Sequence, residues 1–205
     1  MQTTTRKDVD AMTAVQHPKT ITAERDGTVI SIGAAGATVT ETRRSKATRF
    51  TLAGLRLALG WVFLWAFIDK LFGLGLATPD KGAWINGGSP TKGFLGNAVA
   101  GPFEGVYHSI AGAAWADWLF MLGLAGIGIA LIAGIGMRLA AAAGGLLLVL
   151  MWTAVLPPEN NPFMDDHLIY AGVLALLALT AAGDTLGLGK MWARLPLVQR
   201  LPWLK

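Results

Sequence analysis

From Leu52 onward the chain alternates long apolar runs with short polar breaks, whereas residues 1–47 are polar and rich in Thr. Four runs come near the roughly 20 residues that a bilayer core requires, at about 1.5 Å of rise each. They are Leu52–Leu76, Trp118–Met137, Leu139–Leu156 and Leu168–Gly183, the last on the short side and borrowing His167 or Asp184 at its ends. Pro157-Pro158-Glu159-Asn160-Asn161-Pro162 cannot be helical and forces a turn before Asp165 or Asp166 caps the fourth helix. Pro102–Ala111 reads as a short amphipathic helix in the first outer loop, with Glu104 four residues from His108. The pattern predicts an all-α membrane protein: a four-transmembrane-helix bundle over 48–188, a basic interfacial segment over 189–205, and a polar tail over 1–47.

Within that tail, Thr28–Thr40 carries two β-prone runs across Gly33–Gly36 and admits a hairpin. Its apolar surface is too small to stand alone, so disorder is the expectation. The tail has no short apolar stretch followed by a small-residue cleavage site, so it is expected to be retained. Gly126, Ala130 and Gly134 recur every fourth position, as do Ala140 with Gly144 and Ala141 with Gly145, which predicts close helix contacts along those stripes.

Composition supports the membrane reading: 53% of 205 residues are hydrophobic and 15% charged, with a mean hydropathy of +0.50. The formal charge of +4 comes from basic residues flanking apolar runs, where they are topology signals and not a nucleic-acid footprint. Arg43, Arg44, Lys46, Arg49, Arg138, Lys190, Arg194, Arg200 and Lys205 fall on one side; Lys81 and Lys92 fall on the other. Both termini are therefore expected in the cytoplasm of a multi-pass plasma-membrane protein. The chain has no Cys and three His, which excludes thiol chemistry, Cys-ligated iron-sulfur clusters and a two-haem bundle, and no metal site is expected.

Ionisable groups inside a membrane cost about 2.5 to 3.5 kcal/mol at its centre on insertion scales, so they carry functional weight. Arg56 and Lys70 share a face of the first helix about 21 Å apart, near opposite interfaces. Arg56 either snorkels and bonds headgroups or neighbouring carbonyls, or it has a functional role. Asp69 lies about 100° around the helix from Lys70, so each needs a partner elsewhere. The outer side supplies Asp165, Asp166, His167 and Tyr170 at the head of the fourth helix, Asp117 at the head of the second, and His108 in the long loop.

Three stretches carry a resemblance. Arg56-Leu57-Ala58-Leu59-Gly60-Trp61-Val62-Phe63-Leu64 continues to Lys70-Leu71; Gly88-Ser89-Pro90-Thr91-Lys92-Gly93-Phe94-Leu95 is followed by Gly101-Pro102-Phe103; and Asn161-Pro162-Phe163-Met164-Asp165-Asp166-His167-Leu168 closes the outer loop. Over about residues 56–183 the chain resembles the DoxX/DoxD family, which includes the membrane subunit of thiosulfate:quinone oxidoreductase. The resemblance implies a membrane redox system passing electrons to quinone, in some members from thiosulfate with tetrathionate as product, and a separate second redox subunit. Quinone and that subunit are the partners it implies; membrane lipid and a second copy of the chain are expected beside them.

Joined to the residues, the resemblance places a quinone between the first and fourth helices. His167, Asp166 and Lys70 act catalytically, His167 with Asp166 delivering protons, while Asp69, Tyr170, His108 and Arg56 bind the cofactor. Quinone is the expected electron acceptor, and there is no haem motif. Two other readings stand beside it: a non-catalytic membrane scaffold recruiting soluble redox or detoxification enzymes, and a small transporter using Arg56, Asp69 and Lys70 as relays.

Overall fold

The computed structural model describes residues 21–25, 28–33, 36–39, 46–159 and 161–205. Contacts divide the chain into two units, Met1–Lys46 and Ala47–Lys205. Within the first, β1 (Ile21–Arg25), β2 (Thr28–Gly33) and β3 (Gly36–Val39) form an antiparallel sheet in the order β1-β2-β3. Arg25 pairs with Thr28, and Gly33 with Gly36. The chain is thus not all-α, and strands occupy positions for which disorder was expected. The signal overlooked was Asp26-Gly27 between Arg25 and Thr28, a dipeptide favoured in two-residue hairpin turns, which adds a third strand to the hairpin suggested over 28–40.

Among its described residues the second unit is helical. Its elements are α1 (Lys46–Phe72), α2 (Lys92–Asn97), α3 (Glu104–Ile110), α4 (Ala114–Ala133), α5 (Met137–Ala154), α6 (Asp166–Leu179), α7 (Gly189–Trp192) and α8 (Pro196–Arg200), with short 3-10 turns between several of them. Three helices, α1, α4 and α5, are long and apolar enough to cross a membrane. The fourth, α6, has 14 residues, about 21 Å of rise, which is less than a hydrocarbon core.

Helix ends follow local chemistry. At the end of α4, Gly134 adopts a left-handed conformation (φ 72°) and its N–H reaches the Ala130 and Leu131 carbonyls, a C-terminal cap that glycine takes without steric cost. Gly134 therefore terminates α4, and its close neighbours are Gly183 and Arg56. Asp165 starts α6, its side chain accepting from the backbone N–H of His167 and Leu168.

Leu52, Leu59 and Phe63 of α1, Leu124, Ile127 and Leu131 of α4, Met137, Ala140 and Leu148 of α5, and Leu174 and Leu177 of α6 make one apolar core. Glycines set how closely these helices approach. A Cβ on Gly128 would lie 2.8 Å from the Leu64 backbone nitrogen, and one on Gly144 would lie 2.8 Å from Leu174 Cδ1. Gly126 and Gly145 face open space, whereas Gly134 and Gly144 of the expected stripes are closely packed, and Gly128 was missed. Large apolar side chains such as Trp61, Trp118, Leu119, Leu122, Leu146 and Leu176 stay exposed around the outside. Such a girdle is unusual for a soluble monomer and suits hydrocarbon surroundings.

Candidate functional site

The ends of α1 and α5 and the heads of α4 and α6 lie at the same end of the helical unit as α2 and α3. Near the end of α1, Asp69 is 1% exposed, and neither carboxylate oxygen has a hydrogen-bond partner among the described residues. Lys70 is half-buried at the next position. No hydrogen bond or ion pair among the described residues joins Asp69 or Lys70 to His167, Asp166 or Tyr170.

At the head of α6 one carboxylate serves two purposes. Oδ1 of Asp165 accepts from two backbone amides of the first turn, while Oδ2 lies 2.6 Å from His167 Nδ1. A carboxylate at Nδ1 fixes the ring orientation and leaves Nε2 turned away from the pair. The partner of His167 is thus Asp165, not Asp166, whose side chain is exposed. Proximity to the cap decides this: the residue before the helix folds back over the first turn, and the first helical residue points outward. Tyr170, one turn on, packs against the apolar core. The loop ahead of Asp165 is held by Trp152, whose indole Nε1 donates to the Phe163 carbonyl at 2.8 Å, and by Asn161, whose Oδ1 accepts from the Phe163 and Met164 amides.

The long loop between α1 and α4 is anchored by a buried carboxylate. Asp117 Oδ1 accepts from the Ser89 hydroxyl at 2.9 Å, the Thr91 amide at 3.0 Å and the Thr91 hydroxyl at 2.6 Å, and Thr91 Oγ1 accepts from the Gly112 amide. On α3, the Tyr107 hydroxyl donates to the Leu150 carbonyl at 2.9 Å and meets the Thr153 hydroxyl. His108 lies 3.6 Å from Glu104 on the exposed side of the same helix. Removing the anchor should loosen the loop: Asp117→Ala leaves three donors unpaired at about 1–3 kcal/mol for a buried group. Faster proteolytic cutting between residues 88 and 112 than in the parent protein is the expected readout.

Under α2 and α3, against the flanks of α4 and α5, lies a cavity of about 470 Å³. Phe94, Tyr107, Ile110, Leu119, Gly123, Leu146 and Leu150 are among its walls, and no acidic or basic side chain lines it. Its two hydroxyls, those of Thr91 and Tyr107, are already engaged, with Asp117 and Gly112 in one case and with Leu150 and Thr153 in the other. Such a space accepts hydrocarbon and offers those hydroxyls to nothing polar. None of His167, Asp166, Lys70, Asp69, Tyr170, His108 and Arg56 lines it. No sequence pattern marks a cavity of this kind, because its walls are mostly ordinary apolar residues drawn from several elements.

Arg56 sits at the opposite end of the unit and is fully buried. Its guanidinium donates to the carbonyls of Leu131, Ile132, Thr185 and Leu186. Two of these end α4, where the helix dipole is negative and a cation is favoured. Of the two readings open in the sequence, the arrangement is that of a side chain bonded to neighbouring carbonyls, far along α1 from Asp69. Among the described residues no group of three or more His, Asp or Glu is placed to hold a metal ion.

The fold and site together define a helical unit with spans compatible with a membrane, an apolar cavity on the flank of two of them, and an Asp-His pair at the same end. Comparison of the chain with family models, with curated proteins and with solved structures gives no match.

Proposed function

We propose that the protein is the membrane-embedded, quinone-binding subunit of a quinone-linked oxidoreductase, as its resemblance to the DoxX/DoxD family implies. The observation that carries this reading is the 470 Å³ cavity, whose apolar walls and engaged hydroxyls suit a ligand that is mostly hydrocarbon chain. A quinone is such a ligand, and its isoprenoid tail would enter from the lipid between α4 and α5. In this reading α6, with the turn that follows it, completes a fourth crossing, and the basic end of the unit faces the cytoplasm together with both termini.

The quinone head requires partners outside the cavity, since two electrons and two protons must reach its carbonyl oxygens. Nε2 of His167, oriented by Asp165, is the proton-exchanging group at that end, and Lys70 is the cation nearest in kind. With no thiol in the chain, thiosulfate would not be held as a persulfide. Two thiosulfates would couple to tetrathionate, releasing two electrons to the quinone, on this chain or on a second redox subunit.

Gly123 offers the test, because it lines the cavity and a Cβ there meets nothing within 4 Å. Gly123→Phe should fill the space and leave the helix packing intact. The purified variant is expected to carry at least about tenfold less extractable quinone, equivalent to ~1.4 kcal/mol of binding, at an unchanged melting temperature. Quinone retained at the parent level would remove the cavity from the proposal. Quinone absent from the parent protein as well would leave the scaffold reading, to be pursued by pull-down with and without residues 1–47.

A further inference from the structure

The end of the unit away from the cavity carries an independent surface. Residues 186–205 contain Lys190, Arg194, Arg200 and Lys205 and no acidic residue. The segment is fixed in place. Trp192 Nε1 donates to the Leu204 carbonyl at 2.6 Å, the Arg138 amide and guanidinium donate to the carbonyls of Lys205 and Pro202, and Val198 is fully buried. Pro196 opens α8 in the first-turn position where its missing N–H costs nothing.

What the anchoring leaves outside is amphipathic. Met191, Leu195, Leu197, Leu201 and Trp203 are exposed, interleaved with the exposed Lys190, Arg194 and Arg200. The side chains of those three basic residues make no hydrogen bond or ion pair among the described residues. Asp184, just ahead of the segment, is the nearest acidic residue in sequence and is also exposed. Exposed Leu and Trp beside unpaired guanidinium groups fit one kind of surroundings well: the boundary where acyl chains meet phosphate headgroups. Arginine forks match phosphate oxygens in geometry, and four basic side chains with no acidic side chain in the segment favour lipids of net negative charge.

The geometry points to residues 186–205 as a docking surface for anionic phospholipid, held rigid against the start of α5 so that Arg194 and Arg200 grip headgroups while Leu197, Leu201 and Trp203 enter the acyl boundary. The surface depends on neither the cavity nor quinone. Full-length protein in detergent, titrated with phosphatidylglycerol and in parallel with phosphatidylcholine, should bind the former more tightly when bound lipids are counted by native mass spectrometry, and raised salt should weaken it.

Arg194→Gln with Arg200→Gln is expected to weaken phosphatidylglycerol about thirtyfold, at about fivefold per basic residue, with phosphatidylcholine binding and melting temperature unchanged. The control Lys81→Gln with Lys92→Gln, at the other end, should leave binding as in the parent. Equal affinity for the two lipids would overturn the proposal and leave the surface to a protein partner. It would equally be overturned by phosphatidylglycerol binding that survives the double Arg substitution, or by binding lost only in the lysine control.

Discussion

Arg56→Leu should cost on the order of 3 kcal/mol of stability, because hydrogen bonds to a charged group are worth about 1.5–3 kcal/mol and buried carbonyls are left without their donor. The guanidinium is 0% exposed and satisfies four backbone carbonyls, at distances that include 2.8 Å to Ile132 and 2.8 Å to Leu186. In leucine's place those oxygens would face an apolar neighbour, and the end of α4 would lose the cation that its dipole favours. Glycines give the guanidinium its room: a Cβ on Gly134 or on Gly187 would lie 3.1 Å from an Arg56 nitrogen. Arg56→Lys keeps the charge and loses the planar fork, so it should fall between the two. Thermal unfolding of the three proteins in one detergent checks this. If the leucine variant melts within about a degree of the parent, a shift well under 1 kcal/mol for a chain of this size, the anchoring role is wrong and a ligand-binding role for Arg56 reopens.

Gly128→Leu should be nearly as damaging, and Gly126→Leu should not. Any side chain at Gly128 would begin 2.8 Å from the Leu64 backbone nitrogen and 3.0 Å from its Cα. Backbone cannot step aside as a side-chain tip can, so α1 and α4 must part. In lipid, close van der Waals contact is most of what holds helices together, because apolar burial alone gains little there. Overpacking costs about 1–3 kcal/mol in ordinary cores, and separating two helices along a shared seam belongs at or above the top of that range. Gly126, two positions away, has nothing within 4 Å. A side chain there should be neutral or slightly stabilising, since glycine inside a helix is unfavourable by about 0.5–1 kcal/mol against alanine. Melting temperatures of the pair decide it, and similar losses in both would mean that α1 and α4 do not cross at Gly128.

The same pair shows what the sequence could and could not disclose. Four-residue spacing singled out Gly126 and Gly134, yet spacing does not say which face of α4 meets α1; Gly128 does, and Gly134 ends the helix. Apolar runs located the helices well and their ends less well. The second long run was read from Trp118, but α4 begins at Ala114, because a helix continues through Trp115 and Asp117 once Asp117 is tied to Thr91. Likewise α6 stops at Leu179 although the apolar run continues. Ala181 is left-handed there, and Gly183 is packed against the Gly134 carbonyl, a tertiary contact that no local pattern records.

The candidate site was legible in kind more than in arrangement. Ionisable residues stood out because membranes tolerate few of them, and His167 does have a carboxylate partner. That partner is Asp165, selected by the helix cap. Arg56 stood out for the same reason, but its partners are backbone carbonyls, which every residue has and no sequence distinguishes. The strands were legible through Thr, Val and Ile alternation with Asp26-Gly27, and were underweighted because a small sheet has little apolar area to bury.

The four carbonyls around Arg56 arrive at very different times during synthesis. Leu131 and Ile132 follow the arginine by 75 and 76 positions, whereas Thr185 and Leu186 follow by 129 and 130. A chain synthesised only through Ile132 therefore holds two of the four carbonyls, and the other two arrive once residue 186 of 205 has been added. Chains ending before Thr185 should therefore leave the guanidinium with only the Leu131 and Ile132 carbonyls, and should unfold at a lower temperature than the parent protein.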